Sequence, residues 1–459
     1  RDFCLSRGLG DVYKRQESAF VPKAYMKLAL PVVLSMMVSL VYNMVDTYFI
    51  ALTGKQELVA GVSLAAPIFT LMIAFGDIFG LGGSSLISRL FGEKREEEAK
   101  RASAFCLWAA IGFGIFVTIV LLVFRTPILK LLGTDAATFE YAGEYYTWIA
   151  VGAASIILGL VPSNILRTEG LAMQAMAGSI LGSIVNIILD PVFIFGLGQG
   201  AAGAAMATVI GNVIADVYYI YVMNKKAKRL SVSLKEIKIP GTMIRDILVI
   251  GIPASITNLM QSIMIMITNH YLIAYGTDKV AAMGIALKAN MISAFILVGF
   301  AFGGQPLVGY NYGARNKKRL KEILRFAYLF EAGLALVFTI SISVFAPAII
   351  KIFMNQSDII TNGAMMLRLQ QLGMVFMAVT LVSTCVCQSV GSAAGAFALS
   401  ISRQGVLYAI SLMVLNAIFG YTGIIATQAC ADVLTAVIAL AIIRKVLGGM
   451  KNEIQYDCV

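Results

Sequence analysis

The chain has 459 residues, of which 59% are apolar or aromatic and only 13% are charged. Soluble domains contain about 25% charged residues and about 45–50% apolar residues with glycine included. This composition excludes disordered, collagen-like and disulfide-rich proteins, and it predicts a chain that lies mostly in lipid. A net charge of +11 would suit nucleic-acid binding only if the basic residues formed one patch. Here they sit between apolar runs, so we expect no nucleic-acid partner.

The first residues, 1–16, read RDFCLSRGLGDVYKRQ. They contain neither an initiator methionine nor the apolar core of a signal peptide. They also share nothing with the pattern that follows. We therefore predict a non-native or disordered leader that lies outside the fold.

Apolar stretches of about 20 residues, the length of a transmembrane helix, recur twelve times. Six precede the polar linker at 224–244 and six follow it. The predicted spans are 27–51, 58–88, 102–124, 141–164, 171–196, 201–223, 245–274, 280–310, 323–345, 364–390, 394–419 and 421–444. The sequence thus predicts an all-α integral membrane protein, with an N-lobe at 17–223, a C-lobe at 245–446 and a cytoplasmic tail at 447–459.

Lysine and arginine concentrate in the loops 89–101, 225–238 and 315–321. The loops on the other side hold one or two such residues each, for example Lys55 and Lys279. Cytoplasmic loops carry the excess of positive charge. Both termini and the linker are therefore predicted to be cytoplasmic.

The two halves share landmarks at a nearly constant offset in the sequence. The matching pairs are Pro31 with Pro253, Gly82-Gly83 with Gly303-Gly304, Gly92 with Gly313, Pro127 with Pro347, and Gly170 with Gly391. The Ala-Asp-Val at 215–217 also recurs at 431–433, which makes Asp216 and Asp432 predicted repeat mates. Each half has six spans, so both enter the membrane in the same sense and are related by a pseudo-two-fold axis along the membrane normal. This architecture is typical of secondary transporters, and no phosphate-binding loop for ATP occurs.

Charged residues inside spans are costly, at about 2.5–3.5 kcal/mol on insertion scales, so the few acids there are functional candidates. Asp46 lies in the first span, roughly 22 Å beyond Pro31 at helical rise. Asn186 and Asp190 share one face of the fifth span, and Thr208 in the sixth adds a hydroxyl. These groups offer only oxygen ligands, which suits Na⁺ or a titrating carboxylate pair.

The alternative is that Asp46 and Asp190 are buried structural acids. The repeat offers a check, because the residue fifteen positions beyond Pro253 is Thr268. An acid needed for helix packing would be expected in both halves, so its presence in one half favours a coupling-ion site. The roles of four further acids stay open: Asp77, Asp216, Glu331 and Asp432.

The first and seventh spans carry several methionines, which suit an adaptable apolar cavity but equally a lipid-facing or core position. His270, the only histidine, could titrate near neutral pH or be a buried structural residue. The candidate cavity residues are Met37, Met44, Gln261, Met264 and His270.

Four segments resemble the multidrug and toxic compound extrusion (MATE) family, and the resemblance covers nearly all of residues 20–446. They are LVYNMVDTYFIALTG, LGGSSLISRLFGEKREEEAKR, LRTEGLAMQAMAGSILGSIVNIILDPVFIFGLGQGAAGAAMATVI and GQPLVGYNYGARNKKR. The most specific feature is N-x-x-x-D-P followed by a glycine-rich turn. The resemblance implies two six-helix lobes that form a V around a central cavity and export cationic amphipathic compounds in exchange for Na⁺ or H⁺.

On the prokaryotic branch of the family with an N-lobe cation site, the matching positions are Asp46, Asn186, Asp190 and Thr208, with Pro31 as the bend point. A different branch uses a glutamate on span 7, and the corresponding residue here is Gln261. The resemblance also implies a multi-pass protein of a bacterial or archaeal inner membrane. It would act as a monomer, without enzymatic activity or a cofactor, on small organic cations and drugs.

Two other classes of protein are alternatives. A lipid-linked oligosaccharide flippase needs a cationic cavity for pyrophosphate, for which only Arg167, Lys288 and Arg403 are candidates. A membrane prenyltransferase needs aspartate-rich metal motifs in loops, and the sequence contains none. The choice between Na⁺ and H⁺, and the identity of the substrates, stay open.

Overall fold

A computed structural model describes residues 19–353 and 356–456. All regular secondary structure in these ranges is helical, which confirms the predicted all-α class. The first half contains α1 (Val21–Leu52), α2 (Gln56–Gly92), α3 (Glu96–Val123), α4 (Arg125–Leu131), α5 (Phe139–Val151), α6 (Ala153–Thr168), α7 (Ala172–Pro191) and α8 (Gly200–Lys225). The second half contains α9 (Gly241–Ile273), α10 (Thr277–Gly303), α11 (Gln305–Gly313), α12 (Lys317–Phe353), α13 (Ser357–Leu372), α14 (Met374–Ser389), α15 (Ala393–Ile401), α16 (Leu407–Phe419) and α17 (Tyr421–Tyr456).

Within the described residues, ten helices are long and apolar enough to cross a membrane, and twelve if each of two bent pairs counts as one span. The pairs are α5 with α6, bent by 51°, and α13 with α14, bent by 44°. The predicted spans at 141–164 and 364–390 therefore each contain a bend. Each break falls at a glycine, Gly152 or Gly373, the residue type that stabilises a helix interior least after proline.

The backbone repeats with the offset predicted from the sequence. Among the described residues, two non-glycine residues adopt left-handed backbone conformations: Lys94 (φ 61°) and Arg315 (φ 53°). They are related by the same offset as Gly92 and Gly313. Gly170 and Gly391 form a second left-handed pair with this offset. The first residues of helices α8 and α17 share it as well. The tandem duplication is therefore visible in the turns as well as in the helices.

One predicted match between the halves is wrong. Because α8 begins at Gly200 and α17 at Tyr421, Asp216 lies sixteen residues into its helix but Asp432 only eleven into its own. The shared Ala-Asp-Val is out of register by more than one turn. The two acids also differ in their partners, since Asp432 accepts a hydrogen bond from Arg403 Nε at 2.7 Å. They are not equivalent residues.

The chain divides into two compact units that do not follow chain order. The first unit comprises 34–258, and the second comprises the described residues of 19–33 and 259–456. The start of α1 therefore belongs to the second unit, and the start of α9 belongs to the first. The lobes predicted from the sequence, 17–223 and 245–446, place each of these helices in one lobe only.

Two glycines permit this arrangement of helix starts. In the first unit, Gly82 on α2 lies so close to the Ile247 carbonyl on α9 that a Cβ atom would collide with it. In the second unit, Gly303 on α10 lies in the same way against the Cα of Ala29 on α1. Small residues allow helix backbones to approach closely in membranes. The repeated glycines thus mark where each second helix packs on the first helix of the other half.

The linker between the halves is fixed to the first unit. Glu169 Oε1 accepts backbone hydrogen bonds from Lys228 at 2.8 Å and Arg229 at 3.1 Å. The Arg229 guanidinium stacks over the Phe91 ring at 4.4 Å, and Trp108 Nε1 donates to the Val232 carbonyl at 2.9 Å. Burial raises the pKa of the Glu169 carboxyl. The hydrogen bonds that it accepts from the two backbone amides and the charge of Arg229 partly offset this rise.

Candidate functional site

Two residues of the predicted cation site lie one turn apart on α7. Asn186 is 3% exposed and Asp190 is fully buried. The Asn186 amide nitrogen donates to Asp190 Oδ1 at 3.4 Å and to the Thr208 hydroxyl of α8 at 3.2 Å. The i, i+4 spacing therefore places both side chains on one face, as predicted, and that face meets Thr208.

Asp46 completes the cluster from α1. It is half-buried, and it lies close enough to Asp190 for the two carboxylates to interact electrostatically. All four residues predicted to bind a cation are thus brought together within the first unit. We call Asp46, Asn186, Asp190 and Thr208 the four-residue site.

The four-residue site presents oxygen atoms without partners. Asp46 Oδ1, Asn186 Oδ1 and Asp190 Oδ2 are buried and have no hydrogen-bond partner among the described residues. A buried polar oxygen without a partner is costly, and a buried charge more so. A cation or bound protons would offset that cost, and carboxylate, amide and hydroxyl oxygens are ligands that hard cations prefer. The donor set fits Na⁺ or H⁺.

Two tyrosines beside the site were not identified from the sequence. The hydroxyl groups of Tyr42 on α1 and Tyr145 on α5 both interact electrostatically with Asp46 and Asp190. Tyr42 lies one turn before Asp46, so helical spacing could have found it. Nothing in the sequence indicates that the face of α5 carrying Tyr145 turns toward this site.

The chain leaves the site through an irregular turn. Directly after Asp190, Pro191 lacks an N–H and cannot continue the α-helical ladder. A π-helical turn follows at Val192–Gly196, a conformation found frequently at functional sites. Gly198 and Gly200 then adopt φ of 65° and 49°, so this glycine-rich segment forms a tight turn between α7 and α8.

The MatE family model matches residues 31–192 and 253–422, one segment in each half of the repeat. The chain belongs to the MatE family. The family predicted from the sequence is thereby confirmed. Both matched segments begin at the prolines of α1 and α9, and the first includes Asp46, Asn186 and Asp190 of the four-residue site.

The MATE relatives cover nearly the whole chain. Multidrug export protein MepA of Staphylococcus haemolyticus is 29% identical over 444 residues, which is 96% of each chain. A solved structure described as the outward-facing conformation of a multidrug resistance MATE family transporter of the MOP superfamily has a TM-score of 0.90 at 26% identity, and the match covers 96% of this chain and 98% of that one.

A MOP superfamily transporter from Pyrococcus furiosus, described with a binding pocket of reverse polarity that suggests a different function, has a TM-score of 0.89 at 26% identity. The match covers 96% of this chain and 98% of that one. The relatives and the solved structures together identify this MATE protein as a multi-pass membrane transporter of the multidrug efflux family, and not as an enzyme.

The predicted cavity residues of this MATE protein have mixed surroundings. On α1, Met37 is half-buried and Met44 is 46% exposed. On α9, Gln261 is exposed, whereas Met264 packs against the hydrophobic core of the second unit. The remaining candidate, His270, is exposed in the last turn of α9 with its ring edge-on to Tyr271. The possibility that His270 is a buried structural residue is therefore wrong.

Two of the three cations that a flippase would need already have polar partners. Arg403 forms an ion pair with Asp432 at 2.7 Å. Arg167 donates from Nε to the Ser163 carbonyl at 2.9 Å, and its charge interacts with Asp77. Lys288 is exposed. A pyrophosphate group would have to compete with these acids for Arg403 and Arg167.

Proposed function

We propose that this MATE protein exports cationic amphipathic compounds in antiport with Na⁺ or H⁺, and that the four-residue site holds the counter-ion. The observation that carries the proposal is the set of three buried oxygens without partners on Asp46, Asn186 and Asp190. Acids inside a membrane protein are expensive and mark ion pathways. The printed names of the relatives, multidrug export protein and multidrug resistance transporter, support drugs as the other substrate.

The proposed mechanism couples the ion to α1. A counter-ion entering from outside occupies Asp46 and Asp190, reshapes α1 near Pro31 and disfavours the outward state with bound drug. Pro31 lacks the N–H that would brace this turn of the helix. The residues of α1 up to Val33 belong to the second unit and those from Leu34 onward to the first. Binding at Asp46 therefore acts on a helix that both units share, so ion and drug compete through one bistable element.

Transport by the full chain in proteoliposomes tests the proposal. Ethidium, a planar organic cation, is loaded, and its efflux is followed under a Na⁺ gradient and a pH gradient imposed separately. We expect at least one gradient to drive efflux by the wild type, and Asp46→Asn to reduce it to the leak rate of empty vesicles. Thr268→Ser, at the related position of the other half, serves as the control. Efflux by Asp46→Asn at the wild-type rate contradicts the proposal.

Three further expectations belong to this proposal: a monomer, with cytoplasmic termini, in a bacterial or archaeal inner membrane. They are supported by the loop charges of the sequence and by bacterial relatives. A membrane-impermeant amine reagent added to intact cells should leave the linker lysines such as Lys235 unlabelled. Labelling from outside would contradict the orientation, and a dimer mass in detergent would contradict the monomer.

A further inference from the structure

A line of polar side chains on α8 extends beyond the four-residue site. Asn212 and Asp216 follow Thr208 at intervals of four residues, which places them along one side of the helix. The Asn212 amide donates to the Thr208 carbonyl at 2.8 Å. Asp216 lies about 12 Å from Thr208 along the axis, toward the end of α8 that leads through Lys225 into the linker.

Asp216 is a buried acid with one oxygen free. The side chain is 5% exposed, and its Oδ2 accepts a hydrogen bond from the Ser155 hydroxyl of α6 at 2.5 Å. Its Oδ1 is buried and has no hydrogen-bond partner within 19–353 and 356–456. Because an uncompensated buried charge is strongly disfavoured, this carboxylate needs a positive ligand.

Gly159 keeps the space in front of that oxygen clear. Gly159 lies one turn beyond Ser155 on α6, and a Cβ atom at this position would come within 3.0 Å of Asp216 Oδ1. The small space and the few ligands, one carboxylate and one hydroxyl, suit a proton better than Na⁺. Ser155 would then bond one oxygen of the acid while the proton occupied the other.

Polar groups continue from Asp216 to the linker end of the first unit. The Tyr219 hydroxyl interacts electrostatically with both Asp216 and Arg167, and it lies 2.8 Å from the Ser179 hydroxyl. Arg167, in the last turn of α6, also interacts with Asp77. Of these groups, Ser155 is the polar side chain that faces Asp216 from α6. Tyr219, three residues further along α8, is the titratable side chain that the charge of Asp216 influences.

We propose that Asp216 is a second proton-binding site, which exchanges its proton with the linker side of the membrane. The inference rests on the proposed antiport, because it makes the rate of that antiport depend on the pH on the linker side. The chemistry is a single proton transfer: an O–H bond forms at Asp216 Oδ1 with a proton from solvent on the linker side, and it breaks again when that proton returns there. The Ser155 bond to Oδ2 is kept in both states.

The test uses the full chain with Asp216→Asn, which keeps an oxygen to accept from Ser155 but cannot bind the proton. Ethidium efflux is measured in proteoliposomes while the pH on the linker side is varied. We expect efflux to fall by about tenfold or more and to lose its dependence on linker-side pH, whereas the ethidium Kd in detergent changes less than about twofold. Val217→Leu, the exposed neighbour on α8, should keep the wild-type pH profile.

Gly159→Ala provides a second, independent variant, because its methyl group enters the space beside Oδ1. We expect it to move the pH midpoint of efflux, whereas a merely structural defect would lower the rate equally at every pH. Wild-type pH dependence in Asp216→Asn overturns the inference. If that variant does not fold, an unmoved midpoint in Gly159→Ala overturns it.

Infrared difference spectroscopy separates this inference from the proposed function. Titrating the wild type in detergent should produce a protonated-carboxyl band that Asp216→Asn lacks, and this readout needs no transport. A wild type that never carries ethidium contradicts the antiport proposal alone. A carboxyl spectrum identical in wild type and Asp216→Asn contradicts the Asp216 site alone.

Discussion

The two units carry the same repeat of helices, but the acids Asp46 and Asp190 of the first unit have no acidic counterpart at the related positions of the second. With the repeat offset, the four-residue site maps onto neutral side chains of the second unit: Thr268, Leu407, Ser411 and Ala429. There the Thr268 hydroxyl lies 2.8 Å from the Tyr408 hydroxyl, and both side chains are buried. A neutral, satisfied pair thus replaces the unpartnered carboxylate Asp46. The fold does not require acids at these positions, which supports the proposal that their cost in the first unit is offset by a bound ion.

The largest expected effect comes from neutralising the fully buried acid of the site. We expect Asp190→Asn to abolish gradient-driven ethidium efflux, because the counter-ion loses a charged ligand. Ser411→Ala, at the related position of the second unit, should transport normally. Equal losses in both variants would show that the positions matter for packing and not for charge.

The converse change places an acid in the second unit. Thr268→Asp should lower the free energy of unfolding in detergent by about 3 kcal/mol at neutral pH, because the new buried charge has no positively charged partner. Thr268→Val, which only removes the bond to Tyr408, should cost about 1 kcal/mol. If Thr268→Asp were as stable as the wild type, the second unit would also be able to hold an ion.

The close helix contacts, unlike the charges, should behave alike in the two units. Gly82→Ala and Gly303→Ala each force a methyl group against a neighbouring backbone. We expect each to lower the free energy of unfolding by about 2 kcal/mol. Gly112→Ala and Gly333→Ala are matched controls, related by the repeat offset and with open space at the Cβ position. These should be neutral or slightly stabilising. Chemical denaturation in detergent measures all four variants. A large difference in stability between Gly82→Ala and Gly303→Ala would contradict the expectation that the two units pack alike.

The attachment of the linker is again one-sided, since the repeat places Val390 at the position of Glu169. Removing the carboxylate with Glu169→Ala leaves the backbone amides of Lys228 and Arg229 without their acceptor. Amide exchange at Lys228 and Arg229 should accelerate about tenfold, equivalent to about 1.4 kcal/mol. Val390→Ala should leave exchange in the linker unchanged, and equally fast exchange in both variants would contradict the one-sided attachment.

The smallest effect is the pH dependence caused by Glu169. Burial raises its pKa above the ordinary value of 4.5, so the folded state binds the proton more tightly than the unfolded state. Its contribution to stability is present below the unfolded pKa and is lost as pH rises through the folded value. Relative to Glu169→Gln, the free energy of unfolding of the wild type should fall by less than about 1 kcal/mol between acid and neutral pH. Thermal unfolding measures it, and a rise in the relative stability of the wild type over this range would contradict the prediction.

The sequence predicted the helical class, the repeat and the four-residue site, because acids in apolar spans are rare and helical spacing fixes the face they share. It could not predict Tyr145, since spacing within α5 does not say which helix it meets. It paired Asp216 with Asp432, because a tripeptide match ignores where each helix begins. The bends at Gly152 and Gly373 were also missed, since hydropathy continues smoothly through a glycine.

The division of α1 and α9 between the units has a consequence for how the chain is assembled. A cut in the linker would give two fragments, and each compact unit needs segments from both of them. Neither fragment contains a complete unit, so the two would be obligate partners in folding. A half-length ancestor with this fold could have completed its unit by borrowing the start of the first helix from a second copy, as in a domain-swapped dimer.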